Sequence, residues 1–221
     1  MIPPYRWNLK RPGLLIPVFF LSLVTAIGQY HAGEAVVAAN GESFVTRSGF
    51  SAVMLNQAGL ARVCRPSLSL HHSQPFITGE VGISSLVFQL PVERGALGIN
   101  FSGCGIPGLR YNAGWLSYGL DLHPDLSAGA GMHFHFSSIT GRPFHRWGVS
   151  CAMGIQIRIT GEVVLGAHVM HPAGWISSGM ERRMKEMMIT TGFSYTFFQA
   201  ATLYGELHIR SEEFIQTCWG L

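Results

Sequence analysis

Charged side chains are scarce. Asp, Glu, Lys and Arg make up 12 % of the 221 residues, about half of what a soluble domain carries. The shortage is not that of a disordered chain, because 48 % of the residues are hydrophobic, enough for a packed interior. Long apolar runs are also missing: after the N-terminal segment no stretch is long enough to cross a bilayer as a helix. Cysteine occurs only at 64, 104, 151 and 218, with none of the paired spacings of a zinc or redox motif. A Gly-x-Ser-x-Gly nucleophile elbow is absent, which removes the simplest hydrolase signature. Glycine, in contrast, is plentiful, with 27 residues.

The first 28 residues read as an export signal. Arg6, Lys10 and Arg11 form a positive region, Leu14 to Ala26 an apolar one containing Pro17, and Ala26-Ile27-Gly28 a small-x-small cleavage site ahead of Gln29. No Cys stands at the cleavage point, so a lipoprotein is not expected. Cleavage removes three of the 15 Lys and Arg and no acid, leaving 12 basic and 12 acidic residues. The basic surplus belongs to the signal, and a nucleic-acid partner is not expected.

The most informative stretch is Pro124 to Thr160. Leu126, Ala128, Ala130, Met132, Phe134 and Phe136 alternate with Ser127, Gly129, Gly131, His133, His135 and Ser137. After a polar connection, Trp147, Val149, Cys151, Met153, Ile155, Ile157 and Ile159 alternate with Arg146, Gly148, Ser150, Ala152, Gly154, Gln156, Arg158 and Thr160. Side chains of a strand point alternately to its two faces, so this is a hairpin with one apolar and one polar face. Each strand runs to a dozen or more residues, where about ten cross a bilayer when tilted.

The same reading extends over the chain from Pro66: strands at Ser67–Ser73, Gly79–Leu90, Ala96–Ser102, Leu109–Leu122, the hairpin pair, Glu162–Met170, Met187–Phe198, Ala201–Arg210 and Phe214–Leu221. Gly79–Leu90 is apolar on both faces and resists orientation. The connections at 92–95, 123–125, 161 and 199–200 are tight turns. Those at 74–78, 103–108, 138–145 and 171–186 are longer, with the apolar Ile106, Trp175 and Ile176 in them and Leu109 directly beside one. Short turns at one end and longer loops at the other are the habit of outer-membrane barrels; a sandwich has no reason to sort its loops so. Ahead of the strands, Ser51 to Ala58 reads as a short helix, with Ser48 or Ser51 as its cap and Gly59 as its stop, and the expected role is a plug in the lumen. The expectation is therefore an all-β chain, an antiparallel transmembrane β-barrel with a short N-terminal plug helix: signal peptide 1–28, plug segment 29–65, strands 66–221.

Asn56-Gln57-Ala58-Gly59-Leu60-Ala61, just ahead of the first strand, resembles the Asn-Pro/Gln-Ala-Gly-Leu motif of FadL-like outer-membrane barrels, and in particular the PorV/PorQ-type barrel proteins of Bacteroidota. The run Glu162 to Pro172 is similar to that group's Gly-Ala-His…Asn-Pro strand end, with His171 where Asn is usual. The resemblance spans Ala32 to Leu221. It implies a bacterial outer-membrane location and a barrel of about fourteen strands, of which ten are legible here. The chain is expected to be C-terminally incomplete, the alternative being a ten-stranded barrel closed by its first and last strands.

Candidate site residues follow from the faces. Asn56, Gln57, Ala58, Gly59 and Leu60 form the plug motif. His133, His135, Arg146, Arg158, Glu206, His208 and Arg210 are expected to face the lumen, where they solvate it, pair with one another or select a ligand. No metal site is expected, because His133 with His135, and His71 with His72, each need ligands from elsewhere. No catalytic cluster and no cofactor are expected. Cys151 and Cys218 lie on opposite faces, which argues against their bridging; a Cys64–Cys104 bridge stays open beside four free thiols. Met153, on the apolar face, should reject a charge. Gly154 should accept one more readily, unless it packs against the plug. The resemblance implies a non-enzymatic protein that binds or passes small hydrophobic molecules, in contact with outer-membrane lipid. One alternative is an accessory barrel working with secretion-machinery proteins of a type IX-like system; a second is an outer-membrane hydrolase.

Overall fold

The computed structural model describes residues 43–74, 82–106, 108–139, 145–176, 187–198, 200–210 and 215–221. The expected export signal and the plug segment up to residue 42 lie outside them. The described chain is all-β apart from two short 3-10 helices. Ten strands, β1 (Ser67–Ser73), β2 (Gly82–Val92), β3 (Gly95–Ile106), β4 (Leu109–His123), β5 (Leu126–Ile139), β6 (His145–Arg158), β7 (Val163–Ile176), β8 (Met188–Phe197), β9 (Ala201–Arg210) and β10 (Ile215–Gly220), form one sheet in sequence order. Every neighbouring pair is antiparallel. No pairing closes β10 onto β1 among the described residues.

The sidedness is the reverse of a soluble sheet. Large apolar side chains on one face stand open, among them Phe101 at 63 %, Met153 at 55 % and Phe136 at 51 % exposure. The polar face is the buried one, with Gln89, Asn100, Ser117, Gln156, His168, Thr190 and Glu206 all below 5 %. β2, apolar on both faces in sequence, turns Ser85, Val87 and Gln89 inward and Leu86, Phe88 and Leu90 outward.

What buries the polar face is the segment 43–62. It crosses the sheet on that side and supplies most of the apolar core, Phe44, Val45, Val53, Leu55 and Leu60 included. The sheet bends round it. Val45 N–H is bonded to Glu206 on β9, and Gly49 C=O to Gln89 on β2. Flat, those strands would lie about 34 Å apart, whereas four residues of chain reach at most about 14 Å. Side-chain reach does not bridge that gap, so the strands must curl toward one another.

Several boundaries differ from expectation. In place of one helix over 51–58 there are 3-10 turns at Phe50–Val53 and Gln57–Arg62. Asn56 is the break: its backbone is extended, and its side chain accepts a hydrogen bond from Ala58 N–H at 3.2 Å, opening the second turn. The first turn is preceded by Gly49 with no side-chain cap, so neither Ser48 nor Ser51 caps it, and Gly59 lies inside the second turn rather than ending the first. β3 continues to Ile106 and pairs with Leu109, so the connection to β4 is the two residues 107–108, not a longer loop. β7 continues to Ile176, which takes Trp175 and Ile176 out of the loop and into pairing with Val149 and Gly148. None of the four cysteines is joined in a disulfide.

Candidate functional site

The inner face has two levels. At the lower one the wall grips the plug. A segment without regular helix leaves backbone groups unpaired, and each must be met by the wall. Gln156 Nε2 on β6 donates to Val45 O and Arg47 O, both at 3.0 Å. Ser117 Oγ on β4 donates to Val53 O at 2.6 Å, and Gln89 Nε2 on β2 to Gly49 O at 2.7 Å. Glu206 Oε1 on β9 accepts from Phe44 N at 2.5 Å and Val45 N at 2.6 Å, while Oε2 meets His208 Nε2 at 3.1 Å. Phe44 stands edge-on to His208, 5.4 Å between ring centres. Asn56 Nδ2 donates to Val45 O, tying the two halves of the plug together.

Glycines make this approach possible. A Cβ on Gly119 would lie 2.5 Å from Gln57 O and 2.6 Å from Ala61 N. One on Gly129 would lie 2.5 Å from Ala58 N, and one on Gly166 2.5 Å from Val45 O. One on Gly154 would overlap Asn56 Oδ1. Gly154 therefore does pack against the plug, and the freedom expected for it is withdrawn.

The upper level, toward the longer connections, is built by register. Trp115 on β4 sits opposite His133 on β5, and His133 opposite Ser150 on β6; one step further along, Ala113, His135 and Gly148 are aligned. Trp115 stacks on His133, centres 3.6 Å apart and planes at 11°. Tyr111 Oη lies 2.9 Å from His135 Nδ1. A third histidine arrives from β7. There Ser150 pairs with Gly174 and Ala152 with Met170, so His171, Pro172 and Ala173 oppose Cys151 alone. This bulge puts His171 at φ 57°, a left-handed conformation uncommon for a side-chain-bearing residue, and turns its ring inward, with Nδ1 2.7 Å from Ser150 Oγ. A ring nitrogen from each of His133, His135 and His171 then lies within 4.8 Å of the others. Both nitrogens of His133 and Nε2 of His135 are buried without a protein partner. Such atoms each cost about 1–3 kcal/mol when nothing meets them.

The expected site residues divide accordingly. Asn56, Gln57, Ala58, Gly59 and Leu60 are all buried in the plug against β3 to β6. Glu206 and His208 belong to the lower level, and act on the plug rather than on solvent. His133 and His135 form the upper level. Arg210 continues the inner row of β9, half-buried, and Arg158 is exposed beside Arg62 and Asp121 at the short-turn end. Arg146 pairs opposite Ser137, its side chain outside the described ones. His71 and His72 occupy opposite faces, with His72 bonded to Ser84, so they make no pair. Sequence reasoning missed His171, which it placed beyond the end of its strand. Only the His-Pro step hints at the irregularity that turns this ring inward.

Fold and faces define a class: an all-β chain whose single antiparallel sheet carries apolar residues outside and polar ones inside, filled by its own N-terminal segment. No family model matches the chain, and no curated protein or solved structure matches it either.

Proposed function

We propose that this chain is an exported, non-enzymatic protein of the bacterial outer membrane, its sheet the wall of a transmembrane β-barrel and residues 43–62 its plug, in the manner of the FadL-like and PorV/PorQ-type barrels that its plug motif resembles. The observation that carries the reading is the inverted sidedness. Among the described residues, eighteen exposed large apolar side chains on β2 to β8 would be an aggregation surface in water, and are the expected outer surface in lipid. Strands of 14 or 15 residues in β4 to β7 exceed the roughly nine to eleven that a span needs. In a bilayer the free backbone edges of β1 and β10 require partners, since unpaired groups there are very costly. Membrane fractionation and gel electrophoresis with and without boiling test the reading: an outer-membrane protein with a heat-modifiable band is expected, and a soluble or inner-membrane protein contradicts it.

Within that class, the primary reading is a barrel that binds or passes small hydrophobic molecules, with passage requiring the plug to shift. Purified into planar bilayers, it should show no steady conductance until Glu206 or Gln156 is substituted. The tight fit of glycine wall to plug also favours the second reading, a sealed accessory barrel of a protein-secretion machine. Pull-down of secretion components in place of hydrophobic-ligand binding would select it. A hydrolase reading finds Ser150 beside His171, but among the described residues no carboxylate orients that imidazole, and its other neighbours are histidines.

A further inference from the structure

We propose that His133, His135 and His171 form a binding site for a divalent transition-metal ion of the Zn2+ type, on the inner face of the sheet on the long-connection side of the plug. The inference needs no membrane, since it rests on the register of β4 to β7 alone.

Three observations support it independently. The first is the donor set. Three imidazoles, two from β5 and one from the bulge of β7, bring ring nitrogens within 4.8 Å of one another, and an all-imidazole set suits zinc, copper and nickel, not the oxygen-seeking magnesium and calcium. Tetrahedral zinc at its usual Zn–N length holds such nitrogens about 3.4 Å apart. Closing on an ion takes an inward movement of His171, which its three-residue bulge is placed to make, and a turn of His133 and His135 away from each other, since their ring centres stand 3.7 Å apart.

The second is the way the rings are held. Nδ1 of His135 faces Tyr111 Oη and Nδ1 of His171 faces Ser150 Oγ, which leaves Nε2 of both rings for the ion. Metal-bound histidines are ordinarily fixed in this way by a partner on the opposite nitrogen. The flat stack of Trp115 holds the plane of His133.

The third is what is left over. His133 is 8 % exposed and His135 3 %, and three of their four ring nitrogens have no protein partner. Buried imidazole nitrogens are ordinarily satisfied, and a bound cation would engage one on each ring. Three protein ligands leave a fourth position for water or a small anion, so the site is built to exchange what it holds and not only to brace the fold.

The test uses the full chain, purified in detergent without a polyhistidine tag and stripped with a chelator. Titration with Zn2+ should give one tight ion per chain and raise the unfolding temperature. Co2+ in its place should give the strong visible absorption of a four-coordinate ion. His171→Ala, whose ring is only half-buried, and His133→Ala should each weaken Zn2+ binding at least about 100-fold. Tyr111→Phe should weaken it about tenfold through loss of the bond to His135, while His72→Ala and His123→Ala, on exposed sites elsewhere, should change nothing. Should His133→Ala fail to fold, His171→Ala decides. The proposal is overturned if the parent chain binds Zn2+ no more tightly than His171→Ala, or if His72→Ala or His123→Ala removes the binding.

Discussion

The two levels of the inner face use the same kinds of residue to different ends. Below, polar side chains of the wall are matched to plug backbone: Gln156, Ser117, Gln89 and Glu206 each meet a carbonyl or amide of the segment 43–62, and Gly119, Gly129 and Gly166 leave room where plug backbone lies against the wall. Above, His133 and His135 bond to no described residue of the plug, and keep unmatched ring nitrogens in a buried setting. A buried polar group that the chain itself satisfies is part of the fold. One that it leaves open, in a neighbourhood where its other atoms are held firmly, is arranged for something that comes from outside. The contrast also explains why polar residues line a face that sequence alone would assign to water: much of that face is covered by irregular backbone, which needs partners as water would.

Substitutions can break this contrast at graded cost. Gly154→Arg should be the most damaging, above about 4 kcal/mol or complete loss of the assembled form, because even a Cβ overlaps Asn56 and the plug must leave its seat; recovery of the heat-modifiable band measures it. Its neighbour Met153→Arg, directed to the outer face, should cost about 2–4 kcal/mol near mid-bilayer, read as a shift in the denaturant midpoint of vesicle-inserted protein. If Gly154→Arg proves the milder of the two, the plug does not sit where its contacts put it. Glu206→Ala leaves Phe44 N–H, Val45 N–H and His208 without their shared acceptor. It should cost about 2–3 kcal/mol and open the segment before Gly49 to protease while the sheet stays intact. Ser150→Ala, at the upper level, removes a single contact to His171. It should change stability by no more than about 1 kcal/mol, with its main effect on metal affinity, and a larger loss of stability would mean that the histidine level is structural like the one below it.

Most of the sheet could be read from period two, since one alternation of faces carries both the strand and its orientation. β2 failed that reading because Leu86, Val87 and Phe88 are all apolar; Val87 turns inward because it joins the core that the plug creates. The helix at 51–58 was over-read because Asn56 bonds to Ala58 N–H in an extended conformation, a local competition that composition does not reveal. The glycines were legible as polar-face residues but not as the plug's seat, which depends on where a distant segment runs. His171 was hidden for a stronger reason. Its sequence parity assigns it to the outer face with Val169, and only the bulge opposite Cys151 brings it round.

The claim on which the rest depends is that the apolar face meets lipid and the polar face does not. Site-directed nitroxide labels, placed singly in a chain with its four cysteines replaced and reconstituted in vesicles, test it directly. Labels at Met132, Phe134, Met153 and Ile155 should collide freely with oxygen dissolved in the bilayer and hardly at all with a water-soluble nickel chelate, while labels at Ala152 and Ser150 should be shielded from oxygen. An alternation of that sense along β5 and β6 is the predicted result. Labels at Met132, Phe134, Met153 and Ile155 that collide with the chelate in preference to oxygen would contradict it.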